Sequence, residues 1–212
     1  MEAREKNTKE RILEEALILF SQSGYMGTSM SDIAARLGVT KAALYKHYKS
    51  KQEILDSIVM KMNAMDEERV KQYEMPEGKM EEVIAGYKEA GFDKIRQFTK
   101  VQFLHWTEEP FSCCFRKMLT LEQYRDPQMA ALYRKYLAEG PLSYMETLFA
   151  GLLGNSEIAG QMALDFYGPI FLLYSIYDGT GDKQHILELL DRHVEHFSQV
   201  LRSTGGGRSL RR

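Results

Sequence analysis

Cysteine and proline are scarce in this chain, which has two and five of them among its 212 residues. The two cysteines, Cys113 and Cys114, are neighbours and therefore cannot cross-link distant segments. This usage excludes a secreted disulfide scaffold and favours a reducing compartment. The few prolines, and the lack of any sustained alternation of apolar and polar residues, favour helices over strands. We therefore expect an all-α fold.

Long hydrophobic runs are also lacking. The densest apolar stretch, residues 166–177, is too short to span a bilayer. The charged residues 1–9 are not followed by the apolar run of a signal peptide. We therefore expect a cytoplasmic protein with no membrane partner.

Motifs that carry catalysis are missing as well. The sequence has no P-loop, no nucleophile elbow, no paired-acid motif and no HExxH zinc motif. This predicts a protein that is not an enzyme and needs no cofactor. A helical enzyme and an interaction module without DNA binding are the alternatives from other classes, and salt-dependent binding to duplex DNA distinguishes them.

Charge is distributed unevenly along the chain, although the net charge is only −2. Between residues 28 and 51, five cations accompany one anion, whereas between residues 61 and 201 fifteen cations accompany twenty-two anions. A small basic patch can dock on phosphate while an acidic remainder is kept off the duplex. The distribution predicts a nucleic-acid-binding segment near the N-terminus.

Helix-capping signals are dense around this basic segment. Ser29, Thr40 and Ser50 each precede a predicted helix, and Gly24 and Gly38 each follow one. An acid three residues after Ser29, and another after Ser50, complete capping-box patterns. The signals predict helices over about 8–23, 29–37 and 41–48, and a fourth from 50 to about 72.

Five further helices are predicted beyond this point, the sixth helix of the chain being short, which gives about nine in total. Pro110 begins the sixth, Asp126 and Pro127 begin the seventh, and a kink is expected near Gly140. The fifth extends over about 80–105, the seventh to about 153, the eighth from 156 and the ninth over about 182–202.

The second and third predicted helices form a helix-turn-helix. Ala34 is small enough for two helices to approach closely, Gly38 permits the sharp turn, and Val39 packs with Leu44 at the junction. The exposed side of the third helix carries side chains that suit a major groove, namely Lys41, Ala42, Tyr45 and Lys46. An ordinary helical corner with a solvated charged face is the alternative interpretation.

At these residues the chain resembles the TetR family of transcriptional regulators. The resemblance is densest over residues 37–48 (LGVTKAALYKHY) and 50–51. Earlier matches are residues 11–16 (RILEEA), Phe20, 24–25, 27–29 and 33–34. Tyr48 stands where phenylalanine is usual, and Ala42 replaces a common glycine. The similarity is close over about the first quarter of the chain and continues beyond it in helix layout only.

The resemblance implies a domain organisation and a mechanism. It implies a DNA-binding head at 1–50 and an effector-binding and dimerisation domain at 51–202. The composition of 203–212 predicts a disordered tail. The resemblance also implies a repressor. Its ligand, bound among the fifth to eighth helices, shifts the fourth helix and thereby changes the distance between the two heads.

Ten residues are implied as DNA contacts, and their chemistry agrees with that role. Thr28, Ser29 and Thr40 stand at helix N-termini, where hydroxyls and backbone N–H groups suit phosphate oxygens. Further backbone contacts are implied for Tyr45, His47 and Lys51. The candidates for reading base edges are Lys41, Ala42, Ala43 and Lys46.

Dimerisation is expected because one head offers too few contacts for a specific site. Two heads roughly 34 Å apart would fit a palindromic operator. The eighth helix is apolar nearly all round, which predicts burial against both its own core and a second copy. The resemblance implies that the eighth and ninth helices pair across a twofold axis, and the candidate interface residues are Phe171, Tyr174, Leu190, Val194, Phe197 and Leu201.

Aromatic and methionine residues on the middle helices predict a largely apolar or aromatic effector. The candidates for its pocket are Phe103, His105, Trp106, Phe111, Met118, Tyr124, Tyr133, Tyr144 and Phe166.

Two sharper hypotheses concern sulfur and imidazole groups. Cys113 and Cys114 could sense oxidants or soft metals, but adjacent helical residues point in different directions, which favours ordinary thiols. His185, His193 and His196 could bind a metal, and the last two have helical spacing. No cysteine or acid completes a site, so no metal is expected.

Overall fold

The structure is a computed structural model that describes residues 2–203, with side chains from Thr8 to Leu201 and at Ser203. This part of the chain contains no strand and folds into eleven helices, which confirms the all-α prediction. The helices are α1 (Glu2–Ser23), α2 (Met30–Leu37), α3 (Lys41–Tyr45), α4 (Lys51–Gln72), α5 (Met80–Ala90), α6 (Phe92–Thr107), α7 (Pro110–Glu122), α8 (Pro127–Leu137), α9 (Glu139–Leu153), α10 (Ala159–Gly179) and α11 (Lys183–Ser203). The predicted tail lies outside the described residues, apart from Ser203.

Two of the predicted long helices are divided. Gly91, at a φ of 76°, ends α5 and donates its N–H to the Tyr87 carbonyl at 3.0 Å. A second division lies at Ala138, whose φ of −129° and ψ of −92° leave the helical region between α8 and α9. The kink expected near Gly140 is therefore a break two residues earlier. Each division requires only one residue with non-helical backbone angles.

The chain forms two compact units. The first contains the chain up to Glu68 together with Glu109–Tyr133, and α1 packs against α7 within it. Its core contains fully buried apolar side chains from both helices, namely Leu17, Phe20, Phe115, Met118 and Leu119. α7 therefore belongs to the packing unit that carries the helix-turn-helix. The functional boundary predicted near residue 50 stays a prediction.

The second unit contains Arg69–Glu108 and the chain from Arg134 onward, and α10 is its central helix. α10 packs against α9, α6 and α11. Phe149, Phe166 and Phe197 form an aromatic cluster, with the Phe166 and Phe197 ring centroids 4.7 Å apart. Among the described residues, no helix combines the length and apolar character needed to cross a membrane.

Candidate nucleic-acid interface

The start of α2 is fixed by a reciprocal capping box. The Ser29 hydroxyl accepts from the Asp32 amide at 3.2 Å, and the Asp32 carboxylate accepts from the Ser29 amide at 2.8 Å. The Ser29 hydroxyl also donates to the same carboxylate, and this bond, followed by the amide bond, lowers the pKa of Asp32. The predicted cap is confirmed. It satisfies backbone groups that the first turn of a helix leaves unpaired.

The turn between α2 and α3 has the geometry that the sequence predicts. Gly38 is left-handed, at φ 69° and ψ 29°, and the Val39 amide donates to the Ala34 carbonyl at 3.0 Å. The Thr40 hydroxyl then caps α3 by accepting from the Ala43 amide at 3.2 Å. These local bonds hold α2 and α3 as a helix-turn-helix, with Leu44 buried between them and the rest of the head.

α3 presents a basic and largely exposed face. It ends at Tyr45, earlier than predicted, and Tyr45 keeps 43% of its surface exposed whereas Tyr48 is buried. Its Lys41 ammonium lies 5.9 Å from the Tyr45 ring centroid. The other predicted contact residues at α3 are Thr40, Ala42 and Lys46, which are exposed, and Ala43, which is half-buried; Ser29, at the start of α2, is also exposed.

The cations of this face are available to a ligand. Within the part of the chain that the structure describes, Lys41, Lys46 and Lys49 form no ion pair with an acid. Arg36, by contrast, pairs with Glu15 at 2.6 Å. Unpaired lysines beside an exposed helix are suited to phosphate oxygens.

Thr28 and Lys51, both predicted as phosphate contacts, have their polar groups engaged inside the head. The buried Thr28 hydroxyl donates to the Gly24 carbonyl at 2.8 Å. The Lys51 ammonium donates to the carbonyls of Tyr25 and Thr28, the latter at 2.7 Å, and lies 4.3 Å from the Tyr25 ring centroid. Burial lowers the pKa of Lys51. Their DNA contacts stay predictions, and their observed role is to hold the loop before α2.

Sequence reasoning treated Arg11 as a family marker only, yet it lies beside His47. Arg11, Thr8 and His47 line a cavity of about 150 Å³ next to α3. His47 is half-buried, and its Nδ1 has no hydrogen-bond partner among the described residues. The sequence signal that could have identified Arg11 is a cation on the helix that precedes the helix-turn-helix.

The predicted effector residues are divided between the two units. Phe103, His105, Trp106, Tyr144 and Phe166 belong to the second unit, and Phe111, Met118, Tyr124 and Tyr133 belong to the first. Tyr124 keeps 90% of its surface exposed in the segment after α7. Its position does not fit the predicted place in a pocket, because a pocket residue must be shielded from water.

The second unit contains an aromatic interior with polar ends. Phe103 is fully buried and stacks on Tyr174 at 5.2 Å between ring centroids. Burial, with a smaller contribution from the Arg69 charge, lowers the pKa of His105 to about 3. Burial also raises the pKa of Tyr144, which is hydrogen-bonded to Tyr87. The imidazole and the phenols are therefore uncharged at neutral pH.

The first unit contains a cavity of about 330 Å³ between α1, α4 and α7. Phe111 and Cys114 line it together with Leu17, and the Lys61 ammonium lies 4.6 Å from the Phe111 ring centroid. Cys113 and Cys114 are both free and half-buried. In the described residues, no cluster of three or more His, Cys, Asp or Glu side chains is arranged to bind a metal.

The candidate dimer residues of α11 are covered within a single chain. Leu190, Val194, Phe197 and Leu201 are all buried, as is Tyr174 of α10, because the α11 stripe packs into the second unit's own core. Four exposed apolar side chains lie on the side of α10 away from this core, namely Leu164, Phe171, Leu172 and Ile176, and α11 has one at Val200. Of the predicted set, only Phe171 belongs to this face. The pairing of α10 and α11 with a second copy stays a prediction, and of its residues Phe171 is the one that is exposed in the single chain.

Comparison with known proteins finds close relatives of the head. Residues 12–58 match the family model described as bacterial regulatory proteins, tetR family. Over 46 residues the chain is 46% identical to the biofilm operon icaADBC HTH-type negative transcriptional regulator IcaR of Staphylococcus epidermidis, a match covering 22% of this chain and 25% of that protein. The chain thus matches about a quarter of the length of the curated relatives.

Solved structures resemble the fold over nearly the whole chain. A TetR-family transcriptional regulator from Mesorhizobium loti MAFF303099 has a TM-score of 0.58 and 20% identity, over 93% of this chain and 98% of that one. A transcriptional regulator from Saccharomonospora viridis in complex with choline has a TM-score of 0.60 and 18% identity, over 92% and 96%. At such identities the likeness shows the fold alone. The capped helix-turn-helix and the match over residues 12–58 show that the head is of the tetR family of bacterial regulatory proteins. The remaining helices share the all-helical fold of the solved structures.

Proposed function

We propose that this protein is a transcriptional repressor that binds a palindromic operator as a dimer and is released by a small, largely apolar or aromatic effector. The observation that carries the proposal is the exposed face of α3. Neither Lys41 nor Lys46 forms an ion pair with an acidic side chain of the described residues. The Thr40 cap and the Gly38 turn hold the helix that carries them. The staphylococcal relative, whose head matches, is named a negative regulator.

The division of labour on α3 follows from side-chain chemistry. Lys41 and Lys46 can donate to guanine acceptors in the major groove, and the methyl groups of Ala42 and Ala43 can contact thymine methyls. Ser29 and Thr40 supply exposed hydroxyls next to backbone N–H groups, which suits phosphate. Positive charge on the head gives attraction to any duplex, and α3 supplies the preference for one sequence.

A dimer is supported by the apolar face of α10. Leu164, Leu172 and Ile176 each leave a large part of an apolar side chain in water. Contiguous exposed apolar residues on one helix are uncommon on monomers and are typical of an interface. A second copy of this chain would bury this face in a twofold contact, in which the same helix of each protomer packs against its partner.

An apolar or aromatic effector is supported by the interior of the second unit. The stacked Phe103 and Tyr174 rings, with a neutral His105 and the Tyr87–Tyr144 pair, provide apolar surface and a few polar groups for orientation. Aromatic faces also attract quaternary ammonium groups, and the Saccharomonospora viridis structure contains choline. We therefore include small quaternary amines among the compounds to be tested.

Release of the DNA requires that the effector bind the dimer more tightly at one distance between its two heads than at the other. α4 is one uninterrupted helix from Lys51 to Gln72, and its residues Ile58 and Met62 are fully buried while Met65 is half-buried. A shift of this rigid helix would move the head. An effector can change DNA affinity only by its own preference between the two states, about 5- to 150-fold for a coupling of roughly 1–3 kcal/mol.

The proposal is tested by binding to duplexes from the chain's own upstream region over a range of salt concentrations. We expect affinity that falls with salt and exceeds that for a scrambled duplex of equal length. An effector found by thermal-shift screening should then bind more weakly in the presence of the operator, by the same factor by which it weakens DNA binding. Equal affinity for all duplexes would contradict the sequence-reading role of α3, and equal effector affinity with and without operator would exclude release.

A further inference from the structure

The last residue of α7 is a buried acid with an unusual environment. Glu122 is fully buried, and neither of its carboxylate oxygens has a hydrogen-bond partner among the described residues. An exposed guanidinium, that of Arg125, approaches one oxygen at 3.7 Å. A buried carboxylate without hydrogen bonds is costly, since it loses its hydration and regains little.

Glu122 lies directly against the loop that precedes α2. Gly24, which ends α1 at a φ of 81°, has no side chain, and a Cβ at that position would collide with the Glu122 Oε1 atom. The loop from Gly24 to Ser29 carries two of the predicted phosphate contacts. The carboxylate of α7 therefore occupies the space that a side chain at Gly24 would need.

The same loop is also held by Lys51. Its ammonium donates to the Tyr25 and Thr28 carbonyls and lies over the Tyr25 ring. The Glu122 charge opposes the effect of burial on the pKa of Lys51, so the two groups attract each other. Two carbonyls and one aromatic face thus contact the Lys51 ammonium, and the Glu122 carboxylate acts on it through its charge.

We propose that Glu122 is a positioning residue for DNA binding: from the end of α7 it holds Gly24 and the Lys51 ammonium, and so fixes the loop that leads into the helix-turn-helix. This rests on the proposed DNA-binding function. It makes Lys51 a structural cation rather than a phosphate contact. It also gives α7, which carries the predicted effector residues Phe111 and Met118, a direct connection to the DNA-binding loop within one compact unit.

A double-mutant cycle distinguishes the proposed coupling of Lys51 with Glu122 from a direct contact of Lys51 with phosphate. The variants are Lys51→Met, Glu122→Gln and the double variant, with Arg125→Met as the matched control because it removes a cation near the same carboxylate but outside the loop. The probes are a duplex selected by the wild-type chain from random sequences and an unrelated duplex of equal length. Amide hydrogen exchange is followed on all four proteins without DNA.

We expect each single variant to weaken binding to both duplexes by a similar factor, about five- to tenfold, and the double variant to lose little more. The slope of affinity against salt should stay unchanged, because no phosphate contact is lost. Amides at 24–29 should exchange faster in both single variants than in the control, while those of α3 stay as in the wild type.

The opposite pattern would overturn the proposal. If Lys51→Met lowers the salt slope by about one unit and Glu122→Gln changes neither affinity nor exchange, Lys51 contacts phosphate directly. If the loss of DNA affinity in the double variant equals the sum of the two single losses of binding free energy, the coupling of Lys51 with Glu122 is also refuted. If Glu122→Gln fails to fold by circular dichroism, the salt slope and exchange of Lys51→Met decide alone. If the wild type binds no duplex, the regulatory proposal fails, but the exchange data still test the contact between α7 and the loop.

Discussion

Two glutamate substitutions on neighbouring helices of the second unit should have opposite consequences. Leu172→Glu places a charge on the exposed face of α10, where the leucine keeps 59% of its surface in water. Phe197→Glu places the same charge on α11 at a ring that is 3% exposed and lies 4.7 Å from Phe166 and 5.4 Å from Phe149, centroid to centroid. Both positions lie on helices that the sequence predicts at a dimer interface.

The magnitudes differ because only one site is in the core. Removing a buried phenylalanine costs about 3–5 kcal/mol, and an unpaired charge in its place adds to that cost. For a chain of this size we expect a fall in melting temperature of about 6–20 °C. A substitution at an exposed position usually changes the free energy of unfolding of one chain by less than about 0.5 kcal/mol.

Sedimentation velocity and thermal melts, each over a range of protein concentrations, check this prediction. We expect Leu172→Glu to give a folded monomer with weaker operator binding, and Phe197→Glu to melt early or to remain unfolded. Concentration must be varied because a dimer gains apparent stability by mass action. A well-folded monomer from Phe197→Glu, together with an intact dimer from Leu172→Glu, would show that α11 rather than α10 faces the second copy.

Three further outcomes follow from the head and from the buried histidine. Lys41→Ala should relax the preference at one base position by about 1–3 kcal/mol, which selection from random duplexes would reveal as reduced information at that position. Ser29→Ala should destabilise the first unit by about 0.5–2 kcal/mol and return the pKa of Asp32 towards its ordinary value, as seen by NMR titration. The pKa of His105, about 3 in the folded chain, lies below the value of about 6.5 in an unfolded chain. The unfolded state therefore binds the extra proton between these values, and stability should fall as pH drops from about 6.5 to about 3. In a plot of melting temperature against pH, His105→Gln should flatten the slope over this range. An unchanged slope would show that His105 is not buried as a neutral group.

The sequence by itself determined the features that depend on neighbours in the chain. Ser29 with Asp32, Thr40 with Ala43, and the left-handed Gly38 are local arrangements, so the residue types and their spacing were enough to predict the helix-turn-helix. The absence of alternating patterns predicted the helical class in the same way. Local backbone energetics decide these features before any tertiary contact forms.

Only the tertiary structure decided which side chains are already in use. Lys51 was predicted as a phosphate contact because a lysine beside a helix-turn-helix has the right charge. The sequence does not show that its ammonium donates to the Tyr25 and Thr28 carbonyls. The apolar stripe of α11 likewise predicts burial but not its partner, since a core and a second copy present the same chemistry. Glu122 and Gly24 are almost one hundred residues apart, and only the packing of α7 on α1 brings a buried charge against that glycine.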